Sequence, residues 1–315
     1  MVDILESAAS GRTPASLRGL LPAVLTAILY LAALQSFEPL FPGTRSGFSG
    51  VQFLLYGCLI GFTYVAMILV GVYTARALEG SALGDFGLSV DGQWLGAFVI
   101  GVAISLFGIS LSWWWGAFRG IRSLNLTEVG VRSSAEPHVV LAVLAVFVGY
   151  FLLGNVYEEV LYRRIMIDNF AAGLAARGLS TRAAVGLATV ASLMAFGILH
   201  VVYRGTILVA IDATLTGTMF AFAYLFTGDL ALPIGIHFGR LITSVLSGGS
   251  YGVVEVIAIG EVTQNTLTAN LEVRLVQIGT VCILVCLWVY LNHGSIQLSA
   301  ALLKSSARDR FGDNR

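Results

Sequence analysis

The chain has 315 residues, of which 57% are hydrophobic and 11% charged, and its formal charge is zero. Soluble domains carry about 25% charged residues, so this balance, with a mean hydropathy of +0.85, excludes an ordinary soluble fold and marks an integral membrane protein. No basic face or sizeable basic tail offers a footprint for nucleic acid, and the cysteines (Cys58, Cys282, Cys286) sit inside apolar runs, which argues against a disulfide framework.

A helix needs about 20 apolar residues to cross a bilayer. That measure gives about eight spans, near 19–37, 51–76, 92–117, 138–169, 181–203, 206–227, 230–247 and 273–292. The expected fold is an all-α, polytopic membrane bundle in a single domain. It divides into N-terminal spans over 1–137, a core over 138–245, and a polar loop, last span and basic tail over 246–315. Trp113, Trp114 and Trp115 close the third span as interfacial anchors. The fourth span is longer than a bilayer requires and should protrude or tilt. The segments 118–137 and 248–272 read as extramembrane connections. Eight crossings put both termini on one side, where Lys and Arg are slightly more frequent, so the positive-inside rule gives cytoplasmic termini. The expected location is a prokaryotic plasma membrane.

The first three spans are nearly free of ionisable groups, whereas the later ones carry Glu158, Glu159, Arg163, His200, Asp212, His237 and Arg240. An ionised side chain at membrane depth costs roughly 2.5 to 3.5 kcal/mol on insertion scales, so such residues are paired, face a wet cavity or work. On a helix Glu159 and Arg163 lie one turn apart and can pair. Glu158, about 100° further round, is left to face something else.

One carboxylate and two imidazoles from three spans suit the activation of water. The glutamate serves as general base, and a histidine orients the water or protonates the leaving amine. The same residues, Glu158, His200 and His237, read equally as three ligands of a zinc ion carrying a water, with Glu159 as base; the spacing leaves both open. A proton-coupled transporter using these groups as a relay is a further alternative, although no inverted repeat accompanies them. The bland reading makes the glutamates an interfacial pair neutralised by Arg163 and Arg164, Phe196 a packing residue, and Asp212 a partner for a nearby Thr or Arg.

The run Glu158-Glu159-Val160-Leu161-Tyr162-Arg163 resembles the Glu-Glu-x-x-x-Arg motif of the CAAX prenyl endopeptidase and bacteriocin-processing (CPBP, or Abi) family of intramembrane proteases. Phe196-Gly197-Ile198-Leu199-His200 resembles its Phe-x-x-x-His motif. His237 matches the histidine of its His-x-x-x-Asn motif, with Leu241 where the family has Asn. The resemblance covers about residues 138–245. It implies a helical bundle whose chamber opens toward the cytoplasm, hydrolysis by a water activated by Glu158 with His200 as its partner, Arg163 as structural partner of Glu159, and His237 steadying the oxyanion. Phe196 would shield the site, and Arg240 stands beside the position of the missing Asn. The implied partners are membrane lipid and a peptide or protein substrate at the cytoplasmic side, either CAAX-like or a bacteriocin or leader-type peptide. No oligomeric state is implied. Leu241 adds one more alternative, a catalytically impaired scaffold or immunity protein of the same fold.

Overall fold

A computed structural model describes residues 13–41, 48–124, 131–132, 136–204, 206–246, 249–251, 254–256, 262–264 and 266–311; parts of both polar connections and the end of the basic tail lie outside them. In chain order the described residues form α1 (Ala15–Phe37), α2 (Gly50–Glu79), α3 (Gly92–Phe118), α4 (Pro137–Glu159), α5 (Asp168–Ala176), α6 (Thr181–Arg204), α7 (Ile207–Thr227), α8 (Ala231–Leu246), α9 (Leu267–His293) and α10 (Ala300–Phe311). A π-helical stretch, Val160–Ile167, joins α4 to α5 without a break. Three short strands, β1 (Val131–Arg132), β2 (Gly249–Tyr251) and β3 (Val254–Val256), pair antiparallel in the order β1-β3-β2.

Local chemistry sets the helix ends. Ser49 accepts the Gln52 N–H while the Gln52 side chain accepts the Ser49 N–H, a reciprocal cap that starts α2. Asp91 accepts the Trp94 N–H to start α3. Gly228, at φ 67°, closes α7, and a Cβ there would strike Ser299 of the segment leading into α10.

The all-α expectation holds for the bundle, and the small sheet is an addition in the connections, where strand edges can meet water. Among the described residues, seven helical segments are long and apolar enough to cross a membrane. The expected seventh span is α8, whose 16 residues rise only about 24 Å, short of a hydrocarbon core of about 30 Å. Yet β1 lies between α3 and α4, and its partner β3 lies between α8 and α9, with Val131 opposite Val256 and Arg132 opposite Glu255. Both connections are therefore on one face, and that requires α8 to carry the chain across. The long fourth span is a helical run from Pro137 to Ala176, 40 residues, about twice the length a bilayer needs.

The other face gathers the start of α1 and the approach to α10. Ala15 touches Gly173 of α5, and the Ser299 N–H donates to the Leu225 carbonyl at 2.9 Å. A polar cluster locks this end: Arg164 lies 3.3 Å from Asp168 and 3.7 Å from Glu79, its Nε donates to the Asp85 carbonyl, and Tyr224 donates to Asp168 at 2.8 Å. Apolar side chains such as Phe62, Trp114, Phe118, Ile283 and Leu291 point outward, as lipid-facing positions should.

Small residues bring α3 and α8 into backbone contact. A Cβ on Gly235 would meet the Phe98 carbonyl oxygen, one on Gly239 the Val102 carbonyl oxygen, and one on Gly101 the Leu232 carbonyl oxygen. This Gly-x-x-x-Gly approach is how membrane helices pack without a hydrophobic driving force. It fixes the depth and rotation of α8, and so of His237, which lies between the two glycines.

Candidate active site

Glu158 and Glu159 end α4 where the π-helical turns begin. Such widened turns recur at functional positions in helices. Glu159 is fully buried, with Oε2 3.2 Å from Arg163 Nε; Arg163 is also fully buried. Neither atom is aligned for a hydrogen bond, so the attraction is Coulombic. Arg163 donates from Nη2 to the Gly217 carbonyl at 3.3 Å, and its guanidinium lies 5.0 Å over the Phe196 ring. Arg164 does not neutralise the glutamates; it belongs to the cluster at the other end.

Glu158 turns the opposite way, as the 100° helical step requires, and retains 19% side-chain exposure. Its Oε2 lies 3.5 Å from His237 Nε2 and its Oε1 4.0 Å from His200 Nε2. His200 Nδ1 lies 2.8 Å from the Phe196 carbonyl oxygen. A carbonyl only accepts, so Nδ1 is the donor and Nε2 of the neutral ring presents its lone pair to Glu158's side of the pocket. His237 Nδ1 lies 2.9 Å from Glu159 Oε1, so there too Nδ1 donates. Phe220 stacks on the His237 ring at 4.0 Å, and Phe196 lies against His200 at 4.5 Å.

Glu158, His200 and His237 line one cavity of about 110 Å³, along with Asn155, Tyr64, Phe196, Asp212, Arg240 and Leu241. Glu159 and Arg163 stand behind its wall. A liquid water occupies about 30 Å³, so the cavity has room for a few waters or a scissile amide. Asp212 pairs with two arginines, Arg240 at 3.2 Å and Arg274 at 2.8 Å. It also borders a second cavity of about 630 Å³ that reaches Arg122 and Val262 in the connections. That volume is in the range of ligand sites.

These cavities lie toward the face that carries the sheet. His200 precedes the last residue of α6 by four positions and Asp212 follows the first of α7 by five, about 6 to 8 Å of rise. His200 and Asp212 therefore lie nearer the sheet face than the face of Ala15 and Ser299.

Zinc would draw on Glu158 and on Nε2 of both histidines, because each Nδ1 is held by an oxygen, as the second nitrogen of a metal-ligating imidazole usually is. Among the described residues no group of three or more His, Cys, Asp or Glu side chains is arranged to hold a metal ion. Asn155, Tyr64 and Arg274 were not anticipated. Asn155 had a signal, an amide inside an apolar run one turn before the glutamates; Tyr64 and Arg274 had none.

An acid with two imidazoles around a cavity in a helical bundle defines a polytopic membrane protein with a polar chamber. Residues 140–243 match the family of type II CAAX prenyl endopeptidases described as Rce1-like. The match bears out the family resemblance of the motif-bearing segment. Neither the curated proteins nor the solved structures contain a match.

Proposed function

We propose that this protein is an intramembrane endopeptidase that hydrolyses a peptide bond with a water activated by Glu158. The observation that carries the reading is the Glu158 carboxylate 3.5 Å from one imidazole and 4.0 Å from another in a cavity with room for a few waters. A 4.0 Å separation is too long for a direct hydrogen bond and leaves room for a bridging water. Glu158 takes a proton from that water, and the oxygen attacks the carbonyl carbon of the scissile amide. The carboxylic acid so formed returns the proton to the leaving nitrogen as the C–N bond breaks. His200 accepts the water's second hydrogen at Nε2 and orients its lone pair. His237, as imidazolium between the two glutamates, donates from Nε2 to the oxyanion. Arg163 offsets the Glu159 charge, which in turn holds the His237 ring in place. Phe196 fixes His200 through its carbonyl and covers it with its ring.

The substrate approaches from the face opposite the termini, its bulk lying in the 630 Å³ cavity. A CAAX-like or leader-type peptide is the proposed substrate class, and 138–245 the proposed catalytic core. A second reading, an impaired scaffold, is favoured by Leu241, whose aliphatic side chain lines the cavity. One experiment separates them: purified protein in liposomes is given an internally quenched peptide library, wild type beside Glu158→Gln. Cleavage by the wild type alone supports the protease. Cleavage by neither supports the scaffold, and cleavage by both removes Glu158 from the mechanism.

A further inference from the structure

Asn155 is 1% exposed, and its Nδ2 has no hydrogen-bond partner among the described residues. Leaving a buried amide unsatisfied costs about 1 to 3 kcal/mol, so such a group needs a reason. It lines the same cavity as Glu158, His237 and Leu241. Its position on the fold matters as much as its burial. Asn155 precedes Glu158 and Glu159 by about one turn on α4, which runs from the sheet face toward the termini face. Position 241 follows His237 by one turn on α8, which runs the other way. In this antiparallel arrangement both positions lie at one level, just on the mouth side of the acid–imidazole group. The amide that the family motif puts on α8 and the amide this chain carries on α4 thus border one volume from two walls.

We propose that Asn155 is a catalytic residue of this protein, donating from its side-chain amide to the oxyanion in the place that Leu241 leaves empty. The inference rests on the protease reading above. When hydroxide adds to the scissile carbonyl, the C=O π pair moves onto oxygen. Asn155 Nδ2–H and His237 Nε2–H stabilise that charge until the C–N bond breaks and the amine leaves with the proton held by Glu158. The ground-state carbonyl carries less charge than the oxyanion, so the donor acts on kcat more than on KM.

The experiment uses the full chain in liposomes and a peptide cleaved by the wild type, with Glu158→Gln as the arm that tests hydrolysis itself. Asn155→Ala is expected to lower kcat about 100-fold, the usual loss for one oxyanion donor, with KM within about threefold. Adding Leu241→Asn to Asn155→Ala is expected to restore at least about tenfold, because the second wall then supplies the amide. Leu241→Asn alone is expected to raise kcat less than about tenfold, because Asn155 already supplies the amide. That arm stands even if Asn155→Ala does not fold. Unchanged kcat in Asn155→Ala, a loss that Leu241→Asn does not relieve, or a gain of about 100-fold from Leu241→Asn alone overturns the proposal while leaving the protease reading intact. A wild type that cleaves nothing, or Glu158→Gln that cleaves normally, overturns both.

Discussion

His237 donates from Nδ1 to the buried carboxylate of Glu159 at 2.9 Å, and the opposite edge of the ring faces Glu158 at 3.5 Å. Adjacent glutamates thus have separate tasks, one inside the packed wall and one at the cavity. Removing the charge of Glu159 strands Arg163, so Glu159→Gln is expected to cost about 3 to 5 kcal/mol, the usual penalty for breaking a buried pair. The double variant with Arg163→Met should recover a large part of this. Denaturant unfolding in detergent measures both, and a neutral Glu159→Gln would show that the pair carries no such energy.

Glu158→Gln, by contrast, should leave unfolding almost unchanged and lower the cleavage rate by at least about 100-fold, the smaller end of general-base contributions. The carboxylate is partly exposed and outside the packed wall. A large drop in thermal stability would place it there instead.

Chelation offers an independent check. Among the described residues no group of three or more His, Cys, Asp or Glu side chains is arranged to hold a metal ion, so prolonged treatment with a strong chelator should leave cleavage intact. Activity that vanishes on chelation and returns with zinc would establish the zinc alternative.

The α3–α8 contact should be intolerant of any side chain at Gly235. A Cβ there meets the Phe98 carbonyl oxygen and Gly101 Cα, so Gly235→Ala should cost about 1 to 3 kcal/mol by overpacking and shift His237. Gly149→Ala on α4, where a Cβ meets nothing within 4 Å, is the control and should cost nothing. Equal melting temperatures for the two variants would contradict the backbone contact.

Val262 and Ile296 are both exposed and lie on opposite faces of the bundle. With the native cysteines replaced, Val262→Cys and Ile296→Cys should react with a membrane-impermeant maleimide from opposite sides of sealed cells. Labelling of both from one side would mean that α8 does not cross.

The bundle was legible because lipid imposes one rule, about 20 apolar residues per crossing, that composition alone reveals. The polar residues Glu158, Glu159, Arg163, His200 and His237 stood out for the same reason, since charge in an apolar span is costly. What escaped was information held by pairs of segments. The sheet between β1 and β3 joins residues more than 120 positions apart, and no local pattern signals it. The π-helical turns follow an ordinary apolar stretch. Arg274 reaches Asp212 from the last span, and Tyr64 enters the cavity from the second, each unmarked by its neighbours.

The wide turns from Val160 to Ile167 make the residue count of that stretch a fixed quantity. One residue fewer ahead of Arg164 would tighten them and swing Arg163, Arg164 and Asp168 by about 100° relative to the glutamates, away from Glu159, Glu79 and Tyr224. The wall behind the reactive groups and the anchor beneath it would come loose together, so a single deletion there would undo the chamber's foundation without touching any atom that lines it.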